Sequence, residues 1–361
     1  MSAVISRGVE LREAGRVTSA GALIGVAAAA LAATALLSLS IGPTGITLAS
    51  LPRALSAMLG ASTDAAAARE QLVLLDIRLP RLLLGMFVGA ALAVSGAMMQ
   101  GLFRNPLADP GLLGVSSGAA LAAVATIAFG HRYAAAWLAA LGALAIPLAA
   151  FLGGIAATAT LVAIANRRGQ VGVSTLLLAG LALSALAMAL TGLISFASDD
   201  RELRDLTLWM LGSLSGASWP KVFAILPFAV LVAAASPRLV RALNGLLLGE
   251  AEAFHLGINV ERAKHGIVLT TAAAVGAAVA VSGVIGFVGI IVPHVVRLLT
   301  GPDHRIVLPA SALIGGTLVL LADVFARMLV RPAELPLGVV MALIGAPLFL
   351  HMVVRRGAGG A

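Results

Sequence analysis

The sequence predicts an all-α polytopic membrane protein of about ten transmembrane helices, and three observations support this fold class. Of the 361 residues, 60% are hydrophobic and only 11% are charged, whereas a soluble domain carries about 25% charged residues. The mean hydropathy is +1.05. The apolar residues form continuous runs rather than the alternating pattern of a transmembrane β-barrel. Lipid is therefore the expected solvent around most of the chain.

Ten apolar runs fit a membrane-spanning helix of about 20 residues. We predict spans near residues 20–40, 82–103, 111–130, 136–164, 173–196, 219–236, 266–283, 284–300, 307–330 and 336–354. No small-residue cleavage site follows the first run, so we interpret it as a retained span rather than a signal peptide. The predicted organisation is a cytoplasmic N-terminal segment (1–19), a transmembrane domain (20–354) that includes a cytoplasmic loop at 237–265, and a cytoplasmic tail (355–361).

The basic residues indicate the orientation. The formal net charge is +8, but the Lys and Arg residues stand singly or in pairs between apolar runs. This pattern is typical of loops that flank membrane spans rather than of a nucleic-acid surface. With both termini in the cytoplasm, the inner segments hold more basic residues than the outer ones, and the Arg355–Arg356 pair has no acidic neighbour. We therefore predict cytoplasmic termini and no nucleic-acid partner.

Several kinds of chemistry are excluded by the residues that are missing. The chain contains no Cys, which excludes disulfides, thiolate metal sites and cysteine nucleophiles. Its histidines show no H-E-x-x-H spacing, and neither a hydrolase elbow nor a G-x-x-x-x-G-K-[ST] phosphate loop occurs. We predict no catalytic residue, no metal site and no cofactor. A membrane-embedded enzyme is therefore disfavoured.

A secondary transporter is the other rival class, and it would need carboxylates within the membrane. Asp323 is the candidate, because an ionisable group inside a span indicates function by default. An internal salt bridge to Arg327, four residues along the same helix face, is the simpler interpretation.

Several long blocks of sequence resemble a known family. From Arg78 onward the chain reads RLPRLLLGMFVGAALAVSGAMMQGLFRNPLADPGLLGVSSGAAL, and later blocks read LLLGEAEAFHLGINVERAK, GFVGIIVPHVVRLLTGPDHR and ELPLGVVMALIGAPLFL. These blocks resemble, in the same order, the permease subunits of ABC importers for iron-siderophores, haem and cobalamin. The resemblance covers most of the chain from about residue 75 to 352, and a series of long blocks is more specific than a short motif.

The resemblance implies a vitamin B12 importer-type permease fold with ten helices per subunit. It implies a homodimer in the bacterial inner membrane, two copies of a separate cytoplasmic ATPase and a periplasmic substrate-binding protein. The missing phosphate loop agrees with an ATPase activity that resides in a partner subunit rather than in this chain.

The segment around residue 250 is the predicted site of coupling to the ATPase. Glu250 to Leu256 is long enough for two helical turns, and a glycine stands at each end. Asn259 is a predicted N-cap for the next helix. In the resembled family this segment is the coupling loop that fits a cleft on the ATPase, and the alternative is an ordinary solvated loop. The coupling residues are Gly249, Glu250, Ala253, Leu256 and Gly257.

Three outer arginines, Arg78, Arg81 and Arg327, form the predicted docking site for the binding protein. Arginine suits this role because its planar fork binds carboxylates bidentately and stays charged. In the resembled family, arginines at the matching positions receive acidic residues from the binding protein. The alternative is that these side chains extend to the outer lipid headgroups.

The predicted cytoplasmic gate consists of Asn105 and Leu107, in the turn after the second span, together with Ser174 and Thr175 at the start of the fifth. The family places its gate in the matching segments. The alternatives are a helix cap at Ser174 and a plain turn at Asn105.

The predicted cargo is haem. The block GLFRNPLADPGLLGVSSGAALAAV resembles haem-uptake members most, with ferric siderophores and cobalamin as the alternatives. We expect a broad pathway that accommodates a large chelate without a tight binding site.

Overall fold

The fold is almost entirely helical, as predicted. A computed structural model describes residues 2–42, 45–60, 64–167, 170–330 and 333–358. In chain order the elements are α1 (Ser2–Ser40), α2 (Leu51–Met58), α3 (Ala65–Gln71), α4 (Leu79–Leu102), α5 (Val115–Tyr133), α6 (Ala135–Leu141), α7 (Ala145–Ala165), β1 (Asn166–Arg167), β2 (Gln170–Val171), α8 (Val173–Ala197), α9 (Asp200–Met210), α10 (Trp219–Leu248), α11 (Glu250–His255), α12 (Val260–Ser282), α13 (Val288–Thr300), α14 (His304–Leu329) and α15 (Leu337–Ala358). A π-helical turn, Leu72–Arg78, joins α3 to α4, and β1 pairs antiparallel with β2.

Nine of the ten predicted spans each overlap one helix, and the span 136–164 overlaps two. Within the described ranges, seven helical segments are long and apolar enough to cross a membrane, and α13 and the apolar part of α15 are shorter apolar helices. The predicted span 136–164 is divided into α6 and α7, because Gly142 adopts a positive φ of 50°. The N-terminal segment is helical from Ser2 and continuous with the first span. Met1 and residues 359–361 of the predicted tail lie outside the described residues.

The predicted cytoplasmic loop 237–265 is much shorter in the structure. Helix α10 continues through Pro237 to Leu248, and α12 begins at Val260, so that residues 249–259 remain between them. The helix continues because Leu243 and Leu246, beyond the proline, are buried against the core. A proline inside a membrane helix is tolerated when the surrounding packing compensates the lost hydrogen bond.

Helices α4 and α12 form the centre of the subunit. In the most apolar 18-residue stretch of each helix, 78% of the residues are buried for the segment containing α4 and 83% for α12. The corresponding shares are 17% for α8 and 22% for α10. The outer helices therefore surround α4 and α12. They present many large apolar side chains outward, as expected for a surface that meets lipid or another apolar partner.

Close helix contacts rely on glycine. A Cβ atom on Gly89 of α4 would collide with the backbone carbonyl of Gly315 on α14, and one on Gly96 would collide with the carbonyl of Gly289 on α13. Without a hydrophobic effect between helices in lipid, such close backbone approach provides the packing. We refer to the two ends of the bundle as the α11 end and the α2 end, after the short helices found there.

Candidate functional site

The three predicted docking arginines lie together at the α2 end. Arg78 ends the π-helical turn, Arg81 lies in the first turn of α4 and Arg327 lies in the last turn of α14. All three are buried, with relative exposures of 4%, 9% and 6%. The sequence interpretation treated them as outward-facing, but the structure places each guanidinium against acceptors of the same chain.

Arg81 binds two carboxylates at once. Its Nε and Nη2 donate to Asp323 at 3.0 and 2.9 Å, and its Nη1 and Nη2 donate to Glu334 at 3.1 and 2.9 Å. Asp323 is almost fully buried, whereas 35% of the Glu334 side chain is exposed. Such bidentate, charge-assisted bonds are strong and directional. They fasten the start of α4 to α14 and to the segment that precedes α15.

Arg327 and Arg78 join this cluster to α1. The Arg327 Nε lies 3.1 Å from Asp323 Oδ2, which confirms the predicted salt bridge, and its Nη2 donates to the Ser38 hydroxyl at 3.1 Å. Arg78 donates to the carbonyls of Leu39 and of Ile46, the latter at 2.8 Å. The arginines therefore hold the end of α1 against α4 and α14.

The predicted coupling segment forms a short helix at the opposite end of the molecule. Helix α11 is bracketed by Gly249 with φ 128° and Gly257 with φ 76°, conformations that strongly favour glycine. Ala253 is fully buried, while Phe254 and Leu256 are 69% and 54% exposed. The segment is thus anchored on one side and presents apolar side chains on the other.

A buried lysine fixes α11 to the rest of the structure. Lys264 donates to Glu250 at 2.7 Å, to Glu261 at 3.1 Å and to the Val171 carbonyl at 3.1 Å. Glu261 in turn accepts from the Val171 amide at 2.9 Å. The predicted N-cap at Asn259 is confirmed, since its side chain accepts from the Arg262 amide. Sequence reasoning did not identify Lys264 as a site residue.

The predicted gate residues lie next to this anchor. A cavity of about 360 Å³ is lined by the end of α4, by Gly172–Ser174, by Leu246 and by Glu250. A second cavity of about 500 Å³ is lined by Thr175, Glu250, Phe254 and Lys264, among others. Ser174 and Thr175 therefore face the same spaces as the coupling segment. Ser174 is not the N-cap of α8, because Gly172 occupies that position.

Asn105 and Leu107 lie in the turn that follows α4. The Asn105 side chain accepts from the Leu107 amide at 3.0 Å, which is the local hydrogen bond of an Asx turn. Two residues further, Asp109 accepts from the Gly111 amide at 2.7 Å, and burial raises the pKa of its carboxyl. The plain-turn interpretation of Asn105 therefore describes its present conformation, and Leu102, Phe103 and Arg104 bring this turn to the edge of the 360 Å³ cavity.

A second polar cluster ties helices together at the α11 end. Arg297 of α13 donates to Gln100 and, at 2.9 Å, to the Ala97 carbonyl of α4, and it contacts His304 Nε2 at 3.2 Å. His304 Nδ1 lies 2.9 Å from the Asn244 side-chain oxygen of α10. These contacts support a packing role for Arg297.

Known proteins resemble this chain over most of its length. Residues 30–355 match the FecCD transport family. The hemin transport system permease protein of Yersinia pestis is 47% identical over 286 residues, which cover 78% of this chain and 83% of that protein. The cobalamin import system permease protein of Halobacterium salinarum is 44% identical, with coverages of 79% and 74%. The vitamin B12 import system permease protein of Salmonella paratyphi A is 41% identical over 295 residues, with coverages of 81% and 86%.

A solved structure has the same fold. It is described as an inward-facing conformation of a metal-chelate type ABC transporter, and it superposes with a TM-score of 0.78 at 33% identity. The match covers 93% of this chain and 99% of that chain. The chain therefore shares its overall fold with a known transporter.

Proposed function

The chain belongs to the FecCD transport family and is the permease of an ABC importer, and on this premise we propose that it forms the translocation pathway for haem. The observation that supports haem is the 47% identity to the Yersinia pestis hemin permease. The identities of 44% and 41% to cobalamin and vitamin B12 permeases make cobalamin the second candidate. A ferric siderophore is the third, and all three cargoes are large chelates.

We propose that two copies of the chain form a pathway in the bacterial inner membrane, with both termini in the cytoplasm. Helix α8 supports this arrangement. The predicted gate residues Ser174 and Thr175 lie at its start. Along the rest of the helix, large apolar side chains are exposed, among them Leu178, Met188 and Phe196. A two-fold pair of such faces would enclose a central path with a gate at the α11 end.

Coupling to two ATPase subunits is proposed at α11. The exposed Phe254 and Leu256 would contact the ATPase, and the Lys264 bonds would transmit a displacement of α11 to β2. Because α8 begins two residues after β2, movement of β2 would shift the gate residues. The shared cavities lined by Glu250 and by residues 173–175 are the observation that supports this route.

Docking of a periplasmic binding protein is proposed at the arginine cluster of the α2 end. Carboxylates of the binding protein would compete with Glu334 for the Arg81 guanidinium. Glu334 is the more exposed of the two carboxylates that bind Arg81. Asp323 would remain bound and keep the cluster in place. Docking would then exchange one ion pair for another instead of filling an empty site.

The cargo assignment is tested by reconstitution. The permease, its ATPase and its binding protein are placed in proteoliposomes, and ATP-dependent uptake of haem, cobalamin and a ferric siderophore is compared. We expect haem uptake well above the ATP-free background. Cobalamin uptake at a higher rate than haem would replace the assignment with the second candidate.

Exchange of the binding protein for a siderophore-binding relative that still docks should permit some siderophore uptake. No siderophore uptake at all, despite docking, would contradict a broad pathway.

A further inference from the structure

An apolar groove runs between α4, α10 and α14. Its volume is about 720 Å³, within the range of about 300–1,000 Å³ that is common for small-molecule sites. Its walls include Phe87 and Val94 of α4, Val232 and Val240 of α10, and Leu308 and Leu313 of α14. The groove lies apart from α8, the helix proposed to line the pathway, because α8 packs against α5 and α7 and none of its residues line the groove.

The length of the groove matches one leaflet of a bilayer. On α10 the lining positions extend from Ala229 to Val240, which corresponds to about 16 Å at a rise of about 1.5 Å per residue. The hydrocarbon core of a bilayer is about 30 Å thick. On α14 the lining positions run from Arg305 to Leu313, in the half of that helix that begins at the α11 end, so the groove extends from the middle of the bundle toward the leaflet at the α11 end. A groove of this length accommodates an acyl chain of that leaflet.

A basic side chain stands at the α11 end of the groove. Arg305 lines the groove and is exposed. Within the described part of the chain, no salt bridge involves its guanidinium. The nearby Asp303 carboxylate accepts instead from the Asn244 side chain at 2.7 Å and from the Arg305 backbone amide at 2.9 Å. The groove therefore combines an apolar wall with an exposed cation at one end.

We propose that this groove binds an anionic phospholipid of the leaflet at the α11 end, with one acyl chain between α4, α10 and α14 and the phosphate on Arg305. Arginine donors form charge-assisted hydrogen bonds with phosphate oxygens, often in pairs. Basic pockets between membrane helices on the cytoplasmic side are suited to anionic headgroups. The site depends on membrane insertion only, and would exist whichever chelate the pathway carries.

The first test measures lipid retention by the full-length permease in nanodiscs. Native mass spectrometry counts bound phosphatidylglycerol and phosphatidylcholine as each is titrated. We expect the Arg305→Ala variant to bind phosphatidylglycerol about fivefold more weakly, since one basic residue near a membrane surface contributes about that factor. The matched control is Arg238→Ala, which removes an exposed arginine of α10 that does not line the groove. Inorganic phosphate should not displace the lipid, because it lacks the acyl chain.

The second test reports on the groove itself. The chain has no Cys, so Ala233→Cys supplies a single labelling position in the groove wall. A fluorophore there should be quenched by phosphatidylglycerol with brominated acyl chains, and Arg305→Ala should raise the lipid concentration needed about fivefold. Equal quenching by phosphatidylcholine, or no effect of Arg305→Ala in either test, would overturn the proposal. A disulfide between two Ala233→Cys chains would show instead that this face is a subunit interface.

Discussion

At the scale of single residues, two charged side chains organise the ends of the molecule. Arg81 is held by Asp323 and Glu334 at the α2 end, and Lys264 is held by Glu250 and Glu261 at the α11 end. Both cations are buried. Arg81 binds one partly exposed carboxylate, Glu334, and Lys264 binds two, Glu250 and Glu261. A buried cation with a partly exposed partner can exchange that partner without being left unpaired, which would otherwise cost several kcal/mol.

Lys264→Met should uncouple transport from ATP hydrolysis. The substitution keeps an apolar stem but removes the bonds to Glu250 and to the Val171 carbonyl, so α11 would move without moving β2. We expect cargo uptake per ATP hydrolysed to fall about 5- to 150-fold, the usual range for coupling between sites. The measurement is paired uptake and ATPase activity in proteoliposomes. Arg262→Met, an exposed position on the same helix, is the control. Unchanged uptake per ATP in Lys264→Met would refute the route.

Glu334→Gln should accelerate docking of the binding protein. The change removes one intrachain competitor for Arg81 and leaves Asp323 in place. Charge pairs at a rim mainly set association rates, so we expect about a two- to tenfold faster association at low salt. The difference should vanish near 1 M salt, where the screening length is about 3 Å. Binding kinetics across a salt series provide the measurement.

Asp200→Asn is the matched control for Glu334→Gln. It removes an exposed negative charge in the first turn of α9, away from the arginine cluster. Equal acceleration by both variants would mean that net charge, and not release of Arg81, governs docking.

At the scale of helices, the sequence predicts features set by neighbouring residues, such as caps and glycine turns, but not contacts between residues far apart in the chain. The Asn259 cap and the glycines around α11 act within a few residues, so the sequence alone indicates them. The continuation of α10 past Pro237 depends on buried contacts of Leu243 and Leu246, and proline as a local signal favours an end there. The bonds of Lys264 to Val171 and of Arg81 to Glu334 join residues 93 and 253 positions apart. No spacing rule indicates such pairs.

The glycine contacts of α4 should be sensitive to a single methyl group. Gly89→Ala and Gly96→Ala would push α4 away from α14 and α13, because the added Cβ meets backbone rather than a flexible side chain. Overpacking of this kind costs about 1–3 kcal/mol, so we expect lower thermal stability of the purified permease. Gly25→Ala on α1 is the control, since an added Cβ meets nothing within 4 Å. A similar melting temperature for all three variants would contradict the proposed packing.

At the scale of the whole molecule, the family resemblance was predictable because it rests on long ordered blocks. The match over residues 30–355 confirms it and extends it toward the N-terminus. The arrangement of two copies is a proposal that rests on α8. Overall sequence identity does not separate the chelates, because the hemin and cobalamin permeases share similar identity with this chain.

A cysteine cross-link tests the two-fold arrangement. Met188 is 72% exposed on α8, and the native chain has no Cys. If α8 faces its copy, Met188→Cys should form a disulfide-linked dimer in oxidised membranes. Leu231→Cys, which is 45% exposed on α10, should stay monomeric under the same conditions. Cross-linking at Leu231→Cys but not at Met188→Cys would place the subunit interface on the other side of the molecule.

The central position of α4 and α12 has a consequence for biogenesis. Helix α4 leaves the ribosome early, whereas α12, α13 and α14, which pack against it, are made much later. Until these helices are inserted, the glycine-lined faces of α4 contact lipid or a membrane chaperone, and the buried core of the subunit is incomplete. Packing of the bundle around α4 is therefore completed late in synthesis. Chains that end before α12 would leave α4 exposed to membrane proteases.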